Sequence, residues 1–207
     1  MMIRNIWAVG RNYADHAKEL GNEVPTTPMI FLKAGSSASV NSMELILPHW
    51  TTEVHHEVEL ALKFSSQMRI MECAVALDLT ERALQNQAKK EGKPWTLAKS
   101  FDGACPVSAF FGIKSLEALK DLEIRLWVND ELRQQASFRQ MIFEPAVLVD
   151  YVMKHFPVCA GDLLLTGTPA GVGPLVDGDV VKAEIRGEIT HTWRVVKEKP
   201  PAPEKAP

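Results

Sequence analysis

Two glutamates set two positions apart carry the clearest chemical signal in the sequence. Around them every second residue is apolar, which predicts a strand with one buried face (Val58, Leu60, Leu62 and Phe64). Side chains at i and i+2 of a strand point the same way, roughly 7 Å apart along it. The carboxylates of Glu57 and Glu59 can therefore converge on one cation, although a solvated strand face would show the same pattern. The HExxH motif of zinc proteases is excluded, because Leu60 stands where its second histidine is required.

A third acid and one lysine stand out because of their apolar surroundings. The apolar residues 74–77 lead directly into Asp78, and an acid at the end of a buried strand is costly to desolvate unless it is paired or binds a metal. The alternative is a helix cap that interacts with the helix dipole. Lys99 lies within the apolar stretch 95–101. It is either a surface lysine with its aliphatic stem packed on apolar groups or a cation held over an anionic intermediate.

Six segments in a fixed order resemble the fumarylacetoacetate hydrolase family, and most of all its branch of acylpyruvate hydrolases and oxaloacetate decarboxylases. The segments are GRNYADHAKEL (10–20), FLK (31–33), HHEVEL (55–60), LDLTER (77–82), PWTLAKSFDGACPVS (94–108) and LLTGTPAGVGP (164–174). The resemblance implies an α+β, predominantly β protein with a mixed β-sandwich roll and a few short helices. It also implies a homodimer and a Mg²⁺ or Mn²⁺ ion held by three carboxylates, which on the matching positions are Glu57, Glu59 and Asp78.

The same resemblance implies roles for six further residues. Four of them would hold the carboxylate and enolate oxygens of the substrate: Lys99, Arg82, Gln85 and Thr168. His16 and Glu19 lie three apart, hence on one face of a predicted helix. On a segment that orders over the site, Glu19 would orient the imidazole and His16 would take a proton from water. The spacing by itself fits a solvent-exposed helix pair equally well.

One position departs from the family pattern. Ala83 follows Arg82 where the family commonly has an aspartate, which puts substrate preference in doubt more than metal binding.

The chemistry that these residues suit is cleavage of a 2-oxo acid. All-oxygen ligands favour Mg²⁺ or Mn²⁺ over zinc, and the cation would stabilise the enolate left when the C3–C4 bond breaks. The predicted function is hydrolysis of an acylpyruvate such as fumarylpyruvate, with oxaloacetate decarboxylation through the same metal-bound pyruvate enolate. The alternatives are an isomerase or decarboxylase of aromatic catabolism (2-hydroxyhepta-2,4-diene-1,7-dioate type), an oxaloacetate tautomerase, and an inactive family member with a binding role. The retained acids, Lys99 and the His16–Glu19 pair argue against the last.

The elements that must position these residues form one predicted catalytic domain over residues 1–197. Strands are predicted at 3–9, 29–33, 44–47, 122–128, 131–135, 162–165, 180–185 and 189–196. Helices are predicted at 13–20, at 81–91 with Thr80 as the N-cap and Gly92 as the end, and at 145–155 with Pro145 in the first position. Residues 198–207 contain only Lys, Glu, Pro and Ala, and we expect them to be disordered.

Composition narrows the classes of partner. The 207 residues include 23 Lys and Arg against 26 Asp and Glu, and the net charge of −3 gives no electrostatic reason to expect nucleic acid or a membrane surface. No apolar run approaches the roughly 18 residues of a membrane helix. The three cysteines form no CxxC pair, so neither a zinc ribbon nor a disulfide framework is indicated. Reduced thiols and a cytoplasmic location are the expectation.

Overall fold

The computed structural model of the protein describes residues 3–19, 21 and 23–201. Its strands are β1 (Asn5–Gly10), β2 (Met29–Ala34), β3 (Ala38–Val40), β4 (Glu44–Leu47), β5 (Val54–His56), β6 (Val58–Phe64), β7 (Ile70–Leu77), β8 (Thr80–Glu81), β9 (Cys105–Val107), β10 (Phe111–Gly112), β11 (Glu123–Val128), β12 (Glu131–Ser137), β13 (Leu163–Leu165), β14 (Gly173–Pro174), β15 (Val180–Ile185) and β16 (Ile189–Lys197). Its helices are α1 (Ala14–Glu19), α2 (Arg82–Glu91), α3 (Thr96–Lys99) and α4 (Pro145–His155), with 3₁₀ turns at Gly35–Ser37, Glu117–Asp121 and Phe138–Gln140. In the described part of the chain no helix has the length and apolar character needed to cross a membrane.

The largest sheet curls into a roll. Its strand order is β2-β1-β13-β6-β7-β9-β3, with β10 paired to β7. The two edge strands, β2 and β3, are joined only by the turn Gly35–Ser37, so the edges must lie close to each other. One face of this sheet has its own cluster of fully buried side chains, which are short or aliphatic, as the limited space inside a curled sheet requires (Ile6, Ala8, Ala61, Ala74, Ala76, Cys105, Val107, Leu163 and Leu165).

A five-stranded sheet, in the order β12-β11-β15-β16-β4, packs against the other face of the roll. The core between the sheets takes the predicted apolar set of β6 together with side chains such as Leu126 and Trp193. Each fully buried side chain of this kind contributes about 1.5–3 kcal/mol relative to exposure. The α+β, predominantly β fold is confirmed, and β6 is its central strand, with one face in the main core and the other toward the site.

The longer elements lie where the sequence places them. The eight strands predicted by range are present with bounds that differ by at most two residues, and Pro145 begins α4. The ninth predicted strand, with Glu57 and Glu59, is β6, which begins at Val58, so that Glu57 directly precedes it. The predicted N-cap of α2 is wrong: the Glu81 carboxylate, not Thr80, accepts a hydrogen bond from the Leu84 amide at 2.7 Å. Gly92 ends the helix with φ of 63° as expected. Leu20 and the tail residues 202–207 lie outside the described residues.

Candidate active site

The antiparallel pairing of β6 with β7 brings the three acids together. Val58 is paired with Leu77, so Glu57, just before β6, lies opposite Asp78, just after β7. One carboxylate oxygen each of Glu57, Glu59 and Asp78 lies within 4.8 Å of the others. The three residues are only 5%, 2% and 2% exposed. A solvated strand face is therefore excluded, and so is a capping role for Asp78, because Glu81 caps α2.

Two buried lysines contact these carboxylates. Lys99 Nζ lies 3.0 Å from Glu57 Oε2 and 2.5 Å from Asp78 Oδ2, at the end of the short helix α3. Burial lowers the pKa of Lys99, but the charges of Asp78 and Glu57 outweigh burial and raise it above its usual range. The surface position considered for Lys99 is wrong. Lys33, for which no role was predicted, donates to Asp78 Oδ1 at 2.6 Å and is fully buried.

The first turn of α2 supplies a third cation. Arg82 pairs with Glu57 through Nη2, and its Nη1 donates to Gln85 Oε1 at 2.7 Å. Burial alone would raise the pKa of Glu57, but the positive charges of Lys99 and Arg82 hold that pKa well below its usual range. Ala83, the departure from the family pattern, is exposed and does not line the cleft.

Glu59 has different surroundings from its two neighbours. Among the described residues no cation lies within 4.0 Å of its carboxylate, which accepts a 2.6 Å hydrogen bond from the Gly167 amide. Burial and the negative charges of Asp78 and Glu57 raise the pKa of Glu59 well above its usual range. A buried carboxylate without a cation is costly, and a divalent ion between the three acids would compensate it.

The donor set fits a hard divalent cation. The two adjacent histidines turn elsewhere: His56 Nδ1 lies 2.9 Å from Gln134 Oε1, and His55 Nε2 lies 3.0 Å from Glu53. The converging ligands are therefore all carboxylate oxygens, which suit Mg²⁺ or Mn²⁺. The positive charges of Lys33, Arg82 and Lys99 equal the negative charges of the three carboxylates in number. A divalent ion would therefore give the site a net positive charge, which favours an anionic substrate.

The loop after β13 places Thr168 in the cleft. Thr168 is flanked by two glycines, and replacing either with another residue would strain the backbone. Gly167 has φ of 94°, and a Cβ there would lie 2.6 Å from the Asn12 Cβ. Gly171 has φ of 98°, and its Cβ would lie 1.9 Å from the carbonyl oxygen of Arg133. Thr168 between them is 2% exposed and lines the same cleft as the three acids.

Gln134 of β12 is a site residue that the sequence did not reveal. Its Oε1 accepts from the Val58 amide at 3.1 Å and faces His56, and its Nε2 donates to Thr168 Oγ1 and to the Pro169 carbonyl, both at 2.8 Å. An amide N–H only donates and a carbonyl only accepts, so the orientation of the Gln134 side chain is fixed. The Thr168 hydroxyl therefore accepts from Gln134 and keeps its own proton for a ligand. Gln134 sits in a polar hairpin strand, and no spacing in the sequence distinguishes it.

Helix α1 places His16 over the acids. His16 is 4% exposed and lines their cleft, so a solvent-exposed position is excluded for His16, whereas Glu19 is exposed. Its Nδ1 lies 3.1 Å from Glu19 Oε2, and Glu19 Oε1 accepts from the Gly171 amide at 3.0 Å. The short helix is thus fastened to the Thr168 loop.

Eight of the nine predicted site residues line one cleft, and the ninth, Glu19, holds His16. The cleft is also lined by residues for which the sequence predicts no role, among them Arg11, Met29, Phe31, Lys89 and Trp95. That the residues assigned from the resemblance act as ligands, base and substrate contacts remains a prediction.

Known proteins are similar to this chain in sequence and architecture. The model of the family described as fumarylacetoacetate (FAA) hydrolase C-terminal matches residues 5–196. The mitochondrial oxaloacetate tautomerase of Homo sapiens is 40% identical over 204 residues, covering 94% of this chain and 92% of that protein. The mitochondrial oxaloacetate decarboxylase of Dictyostelium discoideum is 40% identical over 195 residues, 89% of each chain. The crystal structure of fumarylpyruvate hydrolase from Pseudomonas aeruginosa in complex with Mn²⁺ and pyruvate has a TM-score of 0.88 at 31% identity and covers 95% of this chain and 91% of that chain. This chain is therefore an enzyme, and it belongs to the fumarylacetoacetate hydrolase family.

Proposed function

We propose that the protein hydrolyses acylpyruvates such as fumarylpyruvate with the help of Mg²⁺ or Mn²⁺. The observation that carries this proposal is the His16–Glu19 pair in the same cleft as the three acids. Hydrolysis needs a base for the attacking water, whereas loss of CO₂ does not. A buried imidazole fixed by a carboxylate meets that need.

Glu57, Glu59 and Asp78 would hold the divalent cation. When bound, it supplies Lewis-acid stabilisation of the charge that develops on the C2 oxygen of a 2-oxo acid. The Mn²⁺ and pyruvate in the Pseudomonas aeruginosa fumarylpyruvate hydrolase support both the kind of ion and the product.

The side chains of the protein transfer protons and stabilise the charges that develop during the reaction. With Nδ1–H donated to Glu19, His16 Nε2 takes a proton from water as the oxygen attacks the C4 carbonyl carbon. The C3–C4 bond then breaks and its electron pair forms the enolate of pyruvate, which is protonated at C3. The Lys99 ammonium and the free proton of the Thr168 hydroxyl stabilise the anionic oxygens from fixed positions.

Oxaloacetate is the second candidate substrate. The relatives at 40% identity are an oxaloacetate tautomerase and an oxaloacetate decarboxylase, and decarboxylation forms the same enolate without an attacking water. An isomerase of the 2-hydroxyhepta-2,4-diene-1,7-dioate type would also pass through an enolate of a 2-oxo acid, but one that keeps all seven carbons, because no carbon–carbon bond breaks.

A substrate panel decides among these activities. Purified protein with Mg²⁺ or Mn²⁺ is incubated with fumarylpyruvate, acetylpyruvate, oxaloacetate and a hydroxymuconate-type acid, and products are identified by chromatography. We expect pyruvate and the released acid from the acylpyruvates. Turnover of oxaloacetate alone, or isomerised products without cleavage, would show that the hydrolase proposal is wrong.

A further inference from the structure

Two cations in the cleft lining, which mark its outer end away from the three acids, form no ion pair with any described residue. Arg11 directly follows β1, and its backbone adopts φ of 61°, a conformation that costs a residue other than glycine about 1 kcal/mol or more. Lys89 lies in the last turns of α2, and both residues line the cleft. No carboxylate among the described residues lies within 4.0 Å of either side chain, whereas the three cations of the inner end are all paired with acids.

Helix α2 sets the distance between the two ends. Arg82, Gln85 and Lys89 occupy positions i, i+3 and i+7, which share one face of a helix, and all three line the cleft. At 1.5 Å per residue, Lys89 lies about 10 Å beyond Arg82 along the axis. A ligand that contacts the inner acids and also reaches Lys89 must therefore be an extended molecule.

The charges at the outer end favour an anion. Lys89 is exposed, but partial burial, followed by the positive charges of Arg82 and Arg11, lowers its pKa. Lys89 Nζ lies 5.5 Å from the centre of the Trp95 ring, which supports the lysine without neutralising it. An anion placed between Arg11 and Lys89 would relieve the repulsion between the cations.

Apolar side chains also line the cleft. The rings of Phe31 and Trp95 meet edge to face at 5.7 Å and 64°, and Met29 lies beside them in the cleft lining. Such a surface suits an unsaturated carbon chain better than a hydrated one.

We propose, on the basis of the proposed function, that Arg11 and Lys89 bind the far carboxylate of a long 2-oxo diacid, the one at the end opposite the 2-oxo group. The pair would thereby determine substrate specificity. A seven-carbon diacid such as fumarylpyruvate is long enough to span from the acids to this pair. Oxaloacetate, with two carbons between its carboxylates, is too short. The enzyme thus prefers acylpyruvates that end in a carboxylate over those that end in an alkyl group.

Binding of two unreactive ligands tests this subsite. In the presence of Mg²⁺, 2-oxoheptanedioate and 2-oxoheptanoate share a chain length and differ only in the far carboxylate. We expect calorimetry to show about tenfold or tighter binding of the diacid, as one charge-assisted hydrogen bond provides. Arg11→Gln and Lys89→Gln should each reduce this preference and together abolish it. Lys90→Gln is the matched control, because Lys90 is a neighbouring exposed lysine that does not line the cleft, and it should leave the preference unchanged.

The same variants separate this inference from the proposed hydrolysis. With fumarylpyruvate, Arg11→Gln and Lys89→Gln should raise KM while kcat is largely retained, and neither should alter the kinetics with acetylpyruvate. Equal binding of both ligands by the wild type, binding of neither, or equal weakening of both by the substitutions would overturn the subsite even if hydrolysis is observed. A clear preference for the diacid without cleavage of any acylpyruvate would instead support the subsite and refute the proposed function.

Discussion

At the scale of single residues, the site combines three acids whose surroundings differ. Glu57 and Asp78 are paired with buried cations, whereas Glu59 accepts a hydrogen bond from a backbone amide. The sequence indicated the acids and Lys99 because polar residues interrupt apolar runs. It gave no role to Lys33 or Gln134, because their contacts join strands that are distant in the chain.

Glu59→Gln should weaken metal binding. The amide keeps the size of the side chain but removes the charge, so we expect Mn²⁺ affinity to fall about tenfold or more, at least as much as loss of a residue that supports a ligand. The raised pKa of Glu59 also fixes the pH dependence: below that pKa the carboxyl is protonated and binds a cation poorly, so wild-type affinity should rise with pH. Calorimetric titration at several pH values measures both. The exposed Glu72→Gln is the control, and unchanged affinity in Glu59→Gln would exclude Glu59 as a ligand.

His16→Ala should separate the two candidate reactions. We expect a loss of about 10²–10⁴-fold in acylpyruvate cleavage, the usual contribution of a general base, and a much smaller loss in oxaloacetate decarboxylation. Lys99→Ala should impair both, because both transition states develop the same oxyanion. Steady-state kinetics with both substrates provide the test, and the more exposed His49→Ala is the control. Equal losses for His16→Ala on both substrates would contradict its assignment as the base that activates water.

Gln134→Glu should weaken substrate binding through Thr168. The change replaces the amide donor with an acceptor, so the Thr168 hydroxyl would donate its proton to residue 134. The hydroxyl could then no longer donate a hydrogen bond to the substrate. We expect KM to rise about tenfold, the value of one hydrogen bond to a charged group, with a smaller change in kcat. Gln135→Glu, exposed on the same strand, is the control. If KM stays constant in a variant with wild-type circular dichroism, Gln134 does not position Thr168.

At the scale of elements, hydrophobic periodicity and turn-forming residues explain which strands and helices the sequence predicts. Strands such as β6 and β15 have enough residues to show alternation, and Asn129-Asp130 marks the β11–β12 turn with φ values of 51° and 65°. The short strands β3, β5, β8, β9, β10 and β14 have no periodicity of their own and exist because neighbours supply partners. The attachment of α1 to the Thr168 loop likewise depends on a contact between residues 19 and 171.

Gly171→Ala should displace the Thr168 loop and release α1. The added Cβ would lie 1.9 Å from the Arg133 carbonyl oxygen, a distance that backbone cannot accommodate without moving. We expect strongly reduced hydrolysis and faster amide hydrogen exchange across residues 14–19. Gly178→Ala is the matched control, because Gly178 has a similar φ of 88° but open space around its Cβ position. If both variants retain activity and equal protection of α1, this loop does not fasten the helix.

At the scale of the whole molecule, curling of the large sheet brings the site together. The residues alone predict a β-rich domain, and only the family resemblance predicts a roll, because closure depends on the pairing of β3 with β9, far apart in the chain. The single catalytic domain over residues 1–197, the homodimer and the cytoplasmic location remain predictions. Sedimentation of the purified protein would test the dimer.

Metal binding should stabilise the entire fold. The three carboxylates join β6 to the end of β7, and they are brought together only in the folded chain. A cation that binds only the folded state at 100 times its Kd contributes about 2.7 kcal/mol. For a domain of this size that corresponds to a rise in Tm of roughly 5–10 °C.

Calorimetric melting with Mg²⁺ or Mn²⁺, with chelator, and with Na⁺ at equal ionic strength measures this increment. We expect the chelator to remove it and Na⁺ not to produce it. In Glu59→Gln the increment should shrink, because the variant lacks one of the three charges that hold the ion, while Glu72→Gln should behave as the wild type. A wild-type Tm that is the same in Mg²⁺, Mn²⁺ and Na⁺ would contradict the metal site, because an ion bound among three buried carboxylates cannot leave the stability of the folded state unchanged.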